Sequence, residues 1–406
     1  MADPSHLPFL PYGRQWIDDD DIAAVTEALQ ADMLTTGPRV EAFERAFAET
    51  VGARHAVACA NGTAALHLSM LALDLQPGEA VIAPAVTFTA TANCARFQGG
   101  EVVFADVDPD SGLMTPETLE AALALLGGRR LAAILPVHLS GNTVDLPAVR
   151  RLAMEAGADV VEDACHALGT TMAFDNRPER AGDCRHSAMA CFSFHPVKTI
   201  ATGEGGMVTT NDAELAARLK LFRTHGITRD PADFEHHALA FDDGGAVNPW
   251  VYEMQNLGYN YRLPDILCAL GLSQLAKLDR FVARRRALAE RYRRLLTPLS
   301  PLVRAVESPT GCDAALHLFV VLIDFARLGM SRRVVMEVLR TRGIGSQVHY
   351  IPVHRQPYYR SRYGEIDLPG ADAYYERCLS LPLFPGMADS DPDRVVEGLK
   401  AVLGVD

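Results

Sequence analysis

The sequence has no long apolar segment and no excess of positive charge. No stretch of its 406 residues reaches the roughly 18 consecutive apolar residues of a membrane-spanning helix. Its first residues, "MADPSHLPFLPYGRQW", show no basic start followed by an apolar run. Lysine and arginine total 38 against 51 aspartates and glutamates, a net charge of −13, which argues against nucleic acid or an anionic membrane as partner. We expect a cytoplasmic protein.

Paired cysteine motifs, internal repeats and low-complexity tracts are also missing. The eight cysteines are never spaced as CxxC, and several stand inside apolar runs. This pattern predicts reduced, buried thiols rather than a disulfide framework or a zinc site. The length suggests about two or three domains. An apolar content of 49 % and a charged content of 22 % are ordinary for a globular protein.

Short apolar runs alternate with helical patterns between residues 55 and 210. Runs such as "EAVIAP", "EVVFADV" and "ADVVEDA" predict a mainly parallel sheet with helices on both faces. "SAMACFSF" and "GMVTT" have no full helix between them, so we expect one of these two strands to run antiparallel. Ligands of such sheets bind beyond the carboxyl ends of the strands, where the candidate residues should be sought.

The regions on either side of this α/β core have different patterns. Residues 18–31 predict a helix with Ile22, Val25 and Leu29 on one face. The apolar spacing after residue 262 predicts one long helix, and the text beyond it predicts a smaller α+β unit. We therefore expect a large domain over residues 1–262, a long connecting helix over residues 263–299 and a small C-terminal domain over residues 300–406.

Lys198 lies in "SFHPVKTIATGEGG", between an aromatic run and three glycines. A solvated lysine, which is the default for this residue type, needs no such surroundings. Glycines let the backbone approach other groups closely. An amine that is partly shielded from water has a lowered pKa and attacks carbonyl groups. The segment therefore predicts a lysine that reacts through its amine.

Other candidate groups follow neighbouring strands. "ACANGTAAL" turns from a strand into a helix, so Gly62 and Thr63 would present N–H groups and a hydroxyl to a phosphate, although a plain capped helix start fits equally well. "VVEDACHALGT" ends a strand with Glu162 and Asp163, which alternation places on opposite faces. Taken singly, such an acid is more often a cap or an ion-pair partner. For His166, a satisfied polar residue under a loop and a ligand contact are both open.

Together these groups suggest pyridoxal phosphate (PLP). This cofactor requires a lysine for its aldehyde, an acid for its pyridine nitrogen and donors for its phosphate. An aromatic residue, Phe88 in "PAVTFTATAN", suits the face of the ring, although an ordinary core position weighs about equally. The candidate cofactor-binding residues are Gly62, Thr63, Phe88, Asp163, Ser193 and Lys198.

Four segments carry a resemblance to a known family. "NGTAAL", "EDACHALG", "FSFHPVKTIATGEGGMVTTND" and "LGYNYRLPDILCALGLSQL" resemble the sugar-nucleotide aminotransferases of the DegT/DnrJ/StrS family, and the resemblance extends over nearly the whole chain. It implies a fold type I PLP-dependent aminotransferase, with a seven-stranded, mainly parallel sheet, that forms a homodimer with shared active sites. It also implies that Lys198 bonds to the cofactor, Asp163 pairs with the pyridine nitrogen and His166 lies near the phenolic oxygen. Asn260 would reach the phosphate in the neighbouring subunit.

The substrate is implied by a narrower resemblance. "FHPVK", "RTHGITRD" and "PWVYEMQNLGYNYR" look closest to the PseC-type enzymes. These imply transfer of an amino group, most plausibly from glutamate, to the C4 ketone of a UDP-linked 4-keto-6-deoxy-N-acetylaminosugar. No metal is expected, because His349 and His354 have no evident third ligand nearby. The candidate substrate contacts are His225, Arg229, Arg262, His349 and Tyr350.

Four alternatives remain open at this stage. Two of them concern the substrate: another nucleotide-linked 4-keto-6-deoxyhexose, of the perosamine or Ara4N type, or an ordinary amino acid and oxo-acid pair. A PLP-dependent sugar dehydratase would commonly have a histidine at the position of Lys198. A non-catalytic regulator would need an added DNA-binding segment, and the sequence shows no basic helix-turn-helix extension.

Overall fold

A seven-stranded sheet lies at the centre of the fold in the computed structural model, which describes residues 8–174 and 177–404. Its strands are β1 (His55–Cys59), β2 (Ala80–Pro84), β3 (Glu101–Ala105), β4 (Leu131–Ile134), β5 (Asp159–Asp163), β8 (Met189–Ser193) and β9 (Gly206–Thr210). They are ordered β1, β9, β8, β5, β4, β2, β3 across the sheet. Only β9, the "GMVTT" strand, runs antiparallel to its neighbours in this sheet, as the missing helix before it predicts.

Helices cover the sheet. Every residue of β2 and β9 is buried, so side chains on both faces of the sheet are covered. The helices up to the end of this region are α1 (Asp19–Leu29), α2 (Pro38–Val51), α3 (Gly62–Ala72), α4 (Thr89–Phe97), α5 (Pro116–Ala124), α6 (Leu146–Glu155) and α7 (Ala213–Arg223). Smaller elements are the hairpin strands β6 (Thr171–Phe174) and β7 (Arg177–Arg180), the short pair β10 (Ile227–Thr228) and β11 (Glu253–Met254), and the one-turn helix α8 (His237–Ala240).

The helix predicted over residues 18–31 is present as α1, but its apolar face is not the one that packs inward. Ile22 and Leu29 are 58 % and 57 % exposed, and Asp21 and Ala28 are buried in their place. Asp21 accepts hydrogen bonds from Ser273 and Gln274, at 2.6 and 2.7 Å. The face that α1 turns inward is therefore set by polar contacts with residues some 250 positions away, which apolar spacing does not reveal.

The prediction of a single long helix after residue 262 is wrong. This region forms two helices, α9 (Asp265–Leu275) and α10 (Leu278–Leu296), with Ala276 and Lys277 between them. The Lys277 ammonium group forms ion pairs with Asp18 and Asp21. The break therefore coincides with a contact to the start of the chain, and the local apolar pattern runs on across it.

The C-terminal region combines a small antiparallel sheet with helices. The sheet has the order β12 (Val303–Ala305), β14 (Phe319–Ile323), β15 (Cys378–Leu381), and the short strand β13 (Cys312–Asp313) pairs with β6. The helices are α11 (Phe325–Leu328), α12 (Arg332–Thr341), α13 (Pro357–Tyr363), α14 (Pro369–Arg377) and α15 (Asp391–Leu403). No helix within the described ranges combines the length and apolarity that crossing a bilayer requires.

Apolar packing crosses the predicted domain boundary near residue 300. Val306, Leu318 and Val320 belong to the same buried cluster as Val81 and Ile82 of the central sheet. A second buried cluster joins α10 to β14, β15 and α15. The division at residues 262 and 299 therefore stays a prediction.

Candidate active site

One pocket of about 630 Å³ lies beyond the carboxyl ends of β5 and β8, beside the start of α3. This is the position that a mainly parallel sheet favours for a ligand, because the strand ends and the helix N-termini meet there. Residues from the C-terminal region, around His349, form another part of its wall. The predicted site residues that line it are Gly62, Thr63, Phe88, Asp163, His166, Ser193, Lys198, His349 and Tyr350.

Lys198 reaches the pocket from the turn that follows β8. Its backbone N–H donates to the carbonyl of His195 at 2.8 Å, which closes the turn. Burial lowers the pKa of the Lys198 amine below its usual value, and the nearby Asp163 carboxylate opposes this effect. A larger fraction of the amine is therefore neutral and nucleophilic than in a solvated lysine.

Asp163, the last residue of β5, presents a firmly held carboxylate to the pocket. Its Oδ2 accepts a hydrogen bond of 2.7 Å from the hydroxyl of Thr91, and its Oδ1 accepts one of 3.2 Å from the N–H of Cys165. The residue is only 6 % exposed. Because both oxygens have donors, the cost of burying the carboxylate is reduced and its orientation is fixed.

Glu162, the neighbouring acid, takes part in a different network. Its Oε2 lies 2.9 Å from Nε2 of His138, and its Oε1 accepts a hydrogen bond of 2.5 Å from Ser187. It is 1 % exposed and does not line the pocket. The alternation of β5 therefore separates the two acids, as the sequence predicts, and leaves Asp163 alone on the pocket side.

The start of α3 offers free donors to an anion. Asn61 is the N-cap, and its side chain accepts a hydrogen bond from the N–H of Ala64 at 2.8 Å. Within the part of the chain that the structure describes, the N–H groups of Gly62 and Thr63 have no acceptor. Unpaired N–H groups at the positive end of a helix suit a phosphate.

Two glycines bring the surrounding backbone into place. A Cβ on Gly62 would lie 2.8 Å from the Cβ of Ser193, so the end of β8 packs directly against the start of α3. A Cβ on Gly206 would lie 2.4 Å from the carbonyl oxygen of Asn61, so β9 also passes against this turn. The close approach predicted for the glycine-rich segment is thus made by Gly206 to the backbone of Asn61, and by Gly205 to the side chains of Thr202 and Phe194.

His166 lies among other aromatic groups at the pocket wall. The N–H of Ser140 donates to its Nδ1 at 3.2 Å, which assigns the ring proton to Nε2, and Nε2 faces the Tyr350 hydroxyl at 3.2 Å. The ring of His317 lies 4.4 Å from that of His166, between centroids. His317 also lines the pocket, and the sequence analysis missed it because its segment reads as an ordinary buried strand.

The histidines of the pocket are held neutral. Burial, together with the charge of Lys198, places the pKa values of His166 and His317 well below the usual value. The same two causes lower the pKa of His349 to about 3. A neutral His166 keeps one ring N–H, which can donate a hydrogen bond to an oxygen in the pocket.

Four predicted site residues lie outside the pocket of this chain. His225, Arg229 and Asn260 are exposed, and the guanidinium group of Arg229 lies 5.4 Å from the ring centroid of Tyr252. Arg262 lines a separate cavity of about 210 Å³. Among the described residues that line the pocket beyond β5 and β8, Lys198 is the one lysine or arginine.

The pocket meets the requirements of PLP. It holds a buried amine, a buried carboxylate and a helix N-terminus with free N–H groups. The wall also carries Phe88, a ring that is 56 % exposed where most large apolar side chains are buried. No group of three or more His, Cys, Asp or Glu side chains within residues 8–174 and 177–404 is placed to hold a metal ion. Fold and pocket chemistry together define a PLP-dependent enzyme of the aminotransferase type.

Comparison with known proteins identifies the family. Residues 15–400 match the model of the DegT/DnrJ/EryC1/StrS aminotransferase family, and the chain belongs to this family. PseC from Helicobacter pylori, an aminotransferase involved in the biosynthesis of pseudoaminic acid, is 28 % identical with a TM-score of 0.86, over 98 % of this chain and 99 % of its own.

Two further solved structures contain a reaction intermediate or the cofactor PMP. DesV from S. venezuelae, in complex with a ketimine intermediate, is 30 % identical with a TM-score of 0.83, over 98 % of this chain and all of its own, 100 %. NtdA from Bacillus subtilis, with bound cofactor PMP, is 28 % identical with a TM-score of 0.81, over 98 % of this chain and 86 % of its own. This chain is therefore a PLP-dependent sugar aminotransferase.

Proposed function

We propose that this enzyme transfers an amino group from glutamate to the C4 ketone of a UDP-linked 4-keto-6-deoxy-N-acetylaminosugar. The observation that carries the proposal is the meeting of Lys198, Asp163 and the start of α3 around one pocket. The choice of sugar is supported by the match to PseC along almost the whole of both chains and by the segments "FHPVK" and "PWVYEMQNLGYNYR". We further propose a cytoplasmic location, which suits a chain whose eight cysteines are all free.

We assign Lys198 two tasks at its Nζ atom. It holds the cofactor, and it moves the proton at the carbon that gains or loses the amino group. The lowered pKa of its amine suits both tasks, because a neutral amine is at once a nucleophile and a base. When bound, PLP supplies an aldehyde that takes up amino groups and a pyridinium ring that withdraws electrons from the adjacent carbon.

The other groups of the pocket bind and orient. In our assignment the carboxylate of Asp163 pairs with the pyridine nitrogen, and Nε2–H of neutral His166 donates to the phenolic oxygen in place of the Tyr350 hydroxyl that it faces here. Phe88 covers one face of the ring. The phosphate is bound by the free N–H groups of Gly62 and Thr63 and by the hydroxyl of Ser193, which lies beside them.

We propose that a second copy of the chain completes the site. A nucleotide sugar carries a diphosphate, yet the described lining of the pocket contains one lysine and no arginine. The predicted cations His225 and Arg229, and also Asn260, are exposed on a segment that displays Trp250, itself 73 % exposed. In a homodimer with shared sites, this segment would bring its polar groups to the partner's pocket, and Arg262, His349 and Tyr350 remain further candidates for substrate contacts.

The substrate is tested by single turnovers of enzyme loaded with pyridoxamine phosphate. The candidates are the UDP-linked 4-keto-6-deoxy-N-acetylaminosugar, perosamine-type and Ara4N-type keto-sugar nucleotides, and plain oxo-acids. We expect the first to return the cofactor to its aldehyde form fastest among the sugars, with 2-oxoglutarate serving the donor half-reaction. Turnover with another keto-sugar alone would reject the UDP-aminosugar, and turnover with oxo-acids alone would reject a sugar substrate.

The shared site is tested by mixing two defective variants. Lys198→Ala removes the reactive amine, and Asn260→Asp places a carboxylate against the phosphate. If Asn260 serves the partner's pocket, a mixed dimer has one intact site, and equal mixing after subunit exchange should restore about a quarter of wild-type activity. A mixture no more active than the mean of the two variants, although mixed dimers are detected by mass spectrometry, would contradict the shared site.

A further inference from the structure

Two threonine hydroxyls form a buried chain that ends on Asp163. The Oγ1 atoms of Thr87 and Thr91 are 2.7 Å apart, and Oγ1 of Thr91 lies 2.7 Å from Oδ2 of Asp163. Thr87 is 1 % exposed and Thr91 is fully buried at 0 %. Solvent therefore does not compete for these hydrogen bonds, which strengthens each of them.

The direction of the chain depends on the charge of Asp163. An ionised carboxylate can only accept, so the single hydroxyl proton of Thr91 must be donated to Asp163. The oxygen of Thr91 then accepts the proton of Thr87, and both links point toward the carboxylate. Both hydroxyls can therefore be directed as donors toward an ionised Asp163, and charge-assisted hydrogen bonds of this kind are the strong ones.

Local structure explains why the two hydroxyls meet. Thr87 precedes the N-cap of α4, and Thr91, four positions later, lies in the first turn of that helix. Thr87 itself lies outside the helix, and the turn of the chain into α4 at Phe88 brings its hydroxyl to that of Thr91. Asp163 is thereby held close to the N-terminal end of α4, where the helix dipole also favours a negative charge.

We propose that Thr91 is a positioning residue that holds the Asp163 carboxylate in place and aims it at the pyridine nitrogen of PLP, with Thr87 fixing the hydroxyl of Thr91. This inference rests on the role proposed above for Asp163. Asp163 needs such support because it pairs with a cation only when the cofactor is bound, and burying a carboxylate is costly unless donors satisfy its oxygens.

The test compares Thr91→Val, which keeps the shape and loses the hydroxyl, with Thr91→Ser, which keeps the hydroxyl. The readouts are the dissociation constant of PLP and the 15N resonance of bound PLP labelled at its pyridine nitrogen. We expect Thr91→Val to weaken PLP binding about tenfold and to move the resonance toward that of a neutral pyridine. Thr91→Ser should stay within about threefold of wild type, and Thr87→Val should show a smaller shift in the same direction.

Two results overturn the inference. If the folded Thr91→Val variant has wild-type PLP affinity and a wild-type 15N resonance, Thr91 is not a positioning residue. If Thr91→Val does not fold, Thr87→Val is the deciding variant, and an unchanged 15N resonance in it would reject the role of the two hydroxyls. Asp163→Asn separates this inference from the proposed function: if it also leaves the resonance unchanged, the assignment of Asp163 itself is wrong, whereas a shift with Asp163→Asn alone rejects only the threonines.

Discussion

The pocket and the segment from residue 225 to residue 262 differ in how far one chain satisfies their polar groups. In the pocket, both oxygens of Asp163 and both ring nitrogens of His166 have hydrogen-bond partners. In the segment, Arg229 and Asn260 are exposed, and Leu257 is 77 % exposed. One chain thus builds the end of the site that suits the cofactor, and the segment exposes the polar and apolar groups that the proposed second copy would cover.

The largest effect is expected at Lys198, the reactive centre of the pocket. Lys198→Ala should lower kcat by about 10³-fold or more, because one amine performs both attachment and proton transfer. Lys198→Arg is the matched control: it keeps a charge but stays protonated, and it should be equally inactive. Turnover near the wild-type rate in either variant would remove Lys198 from the mechanism.

A smaller loss is expected at Asp163, and it should concern the cofactor rather than the sugar. Asp163→Asn keeps the size of the side chain but removes the charge opposite the pyridine nitrogen. We expect PLP affinity to fall by about 10²-fold, measured by visible absorbance on titration of the apoenzyme. Glu162→Gln on the other side of β5 is the control, with PLP affinity close to wild type in the folded variant. Equal losses of PLP affinity in the two variants would show that Asp163 and Glu162 do not differ in their contact with the cofactor.

Changes in the segment from residue 225 to residue 262 should affect the sugar substrate rather than the cofactor. Arg229→Ala should raise KM for the nucleotide sugar about tenfold, through the loss of a charged contact to the diphosphate, and leave the dissociation constant of PLP within about twofold of wild type. Arg218→Ala removes the same charge on α7, where the guanidinium group lies 5.9 Å from the ring centroid of Phe222, and should change neither value. An unchanged KM in Arg229→Ala would exclude this residue from the substrate site.

The smallest effect concerns pH. The folded chain holds the pKa of His349 at about 3, whereas in the unfolded chain it returns to about 6.5. Below pH 6.5 the unfolded state therefore binds a proton that the folded state rejects, and stability falls as the pH drops toward 3. Between pH 7.5 and 5.5 this one group should account for about 1 kcal/mol of lost unfolding free energy.

That pH effect is measured by urea unfolding of the apoenzyme at the two pH values. His349→Asn should lose about 1 kcal/mol less than wild type over this interval, whatever its stability at pH 7.5. Equal losses in the two proteins would show that His349 titrates normally in the folded state.

Sequence patterns predicted the central sheet well because its strands are short apolar runs with local boundaries. They also predicted the separation of Glu162 from Asp163, which follows from the alternation of a single strand. They gave no sign that Asp21 of α1 is buried against Ser273, and they failed at Lys277, where ion pairs to Asp18 and Asp21 coincide with a helix break. In both places the decisive partner lies far along the chain.

The candidate site divides in the same way. Lys198 and the start of α3, which do line the pocket, could be proposed from the sequence because the glycines near Lys198 and the strand-to-helix turn are local patterns. Thr91 was missed, although its four-residue spacing from Thr87 was visible, because nothing local shows that its hydroxyl faces Asp163. His317 enters the pocket from the C-terminal region, and only the fold brings it to 4.4 Å from His166.

The attachment of the cofactor to Lys198 can be measured directly. The purified enzyme is supplied with PLP, treated with borohydride, digested and analysed by mass spectrometry. The account predicts a visible absorbance band before reduction and, afterwards, a phosphopyridoxyl group on the peptide that contains Lys198. A protein that binds PLP but carries the label on another lysine, or carries none, would contradict it.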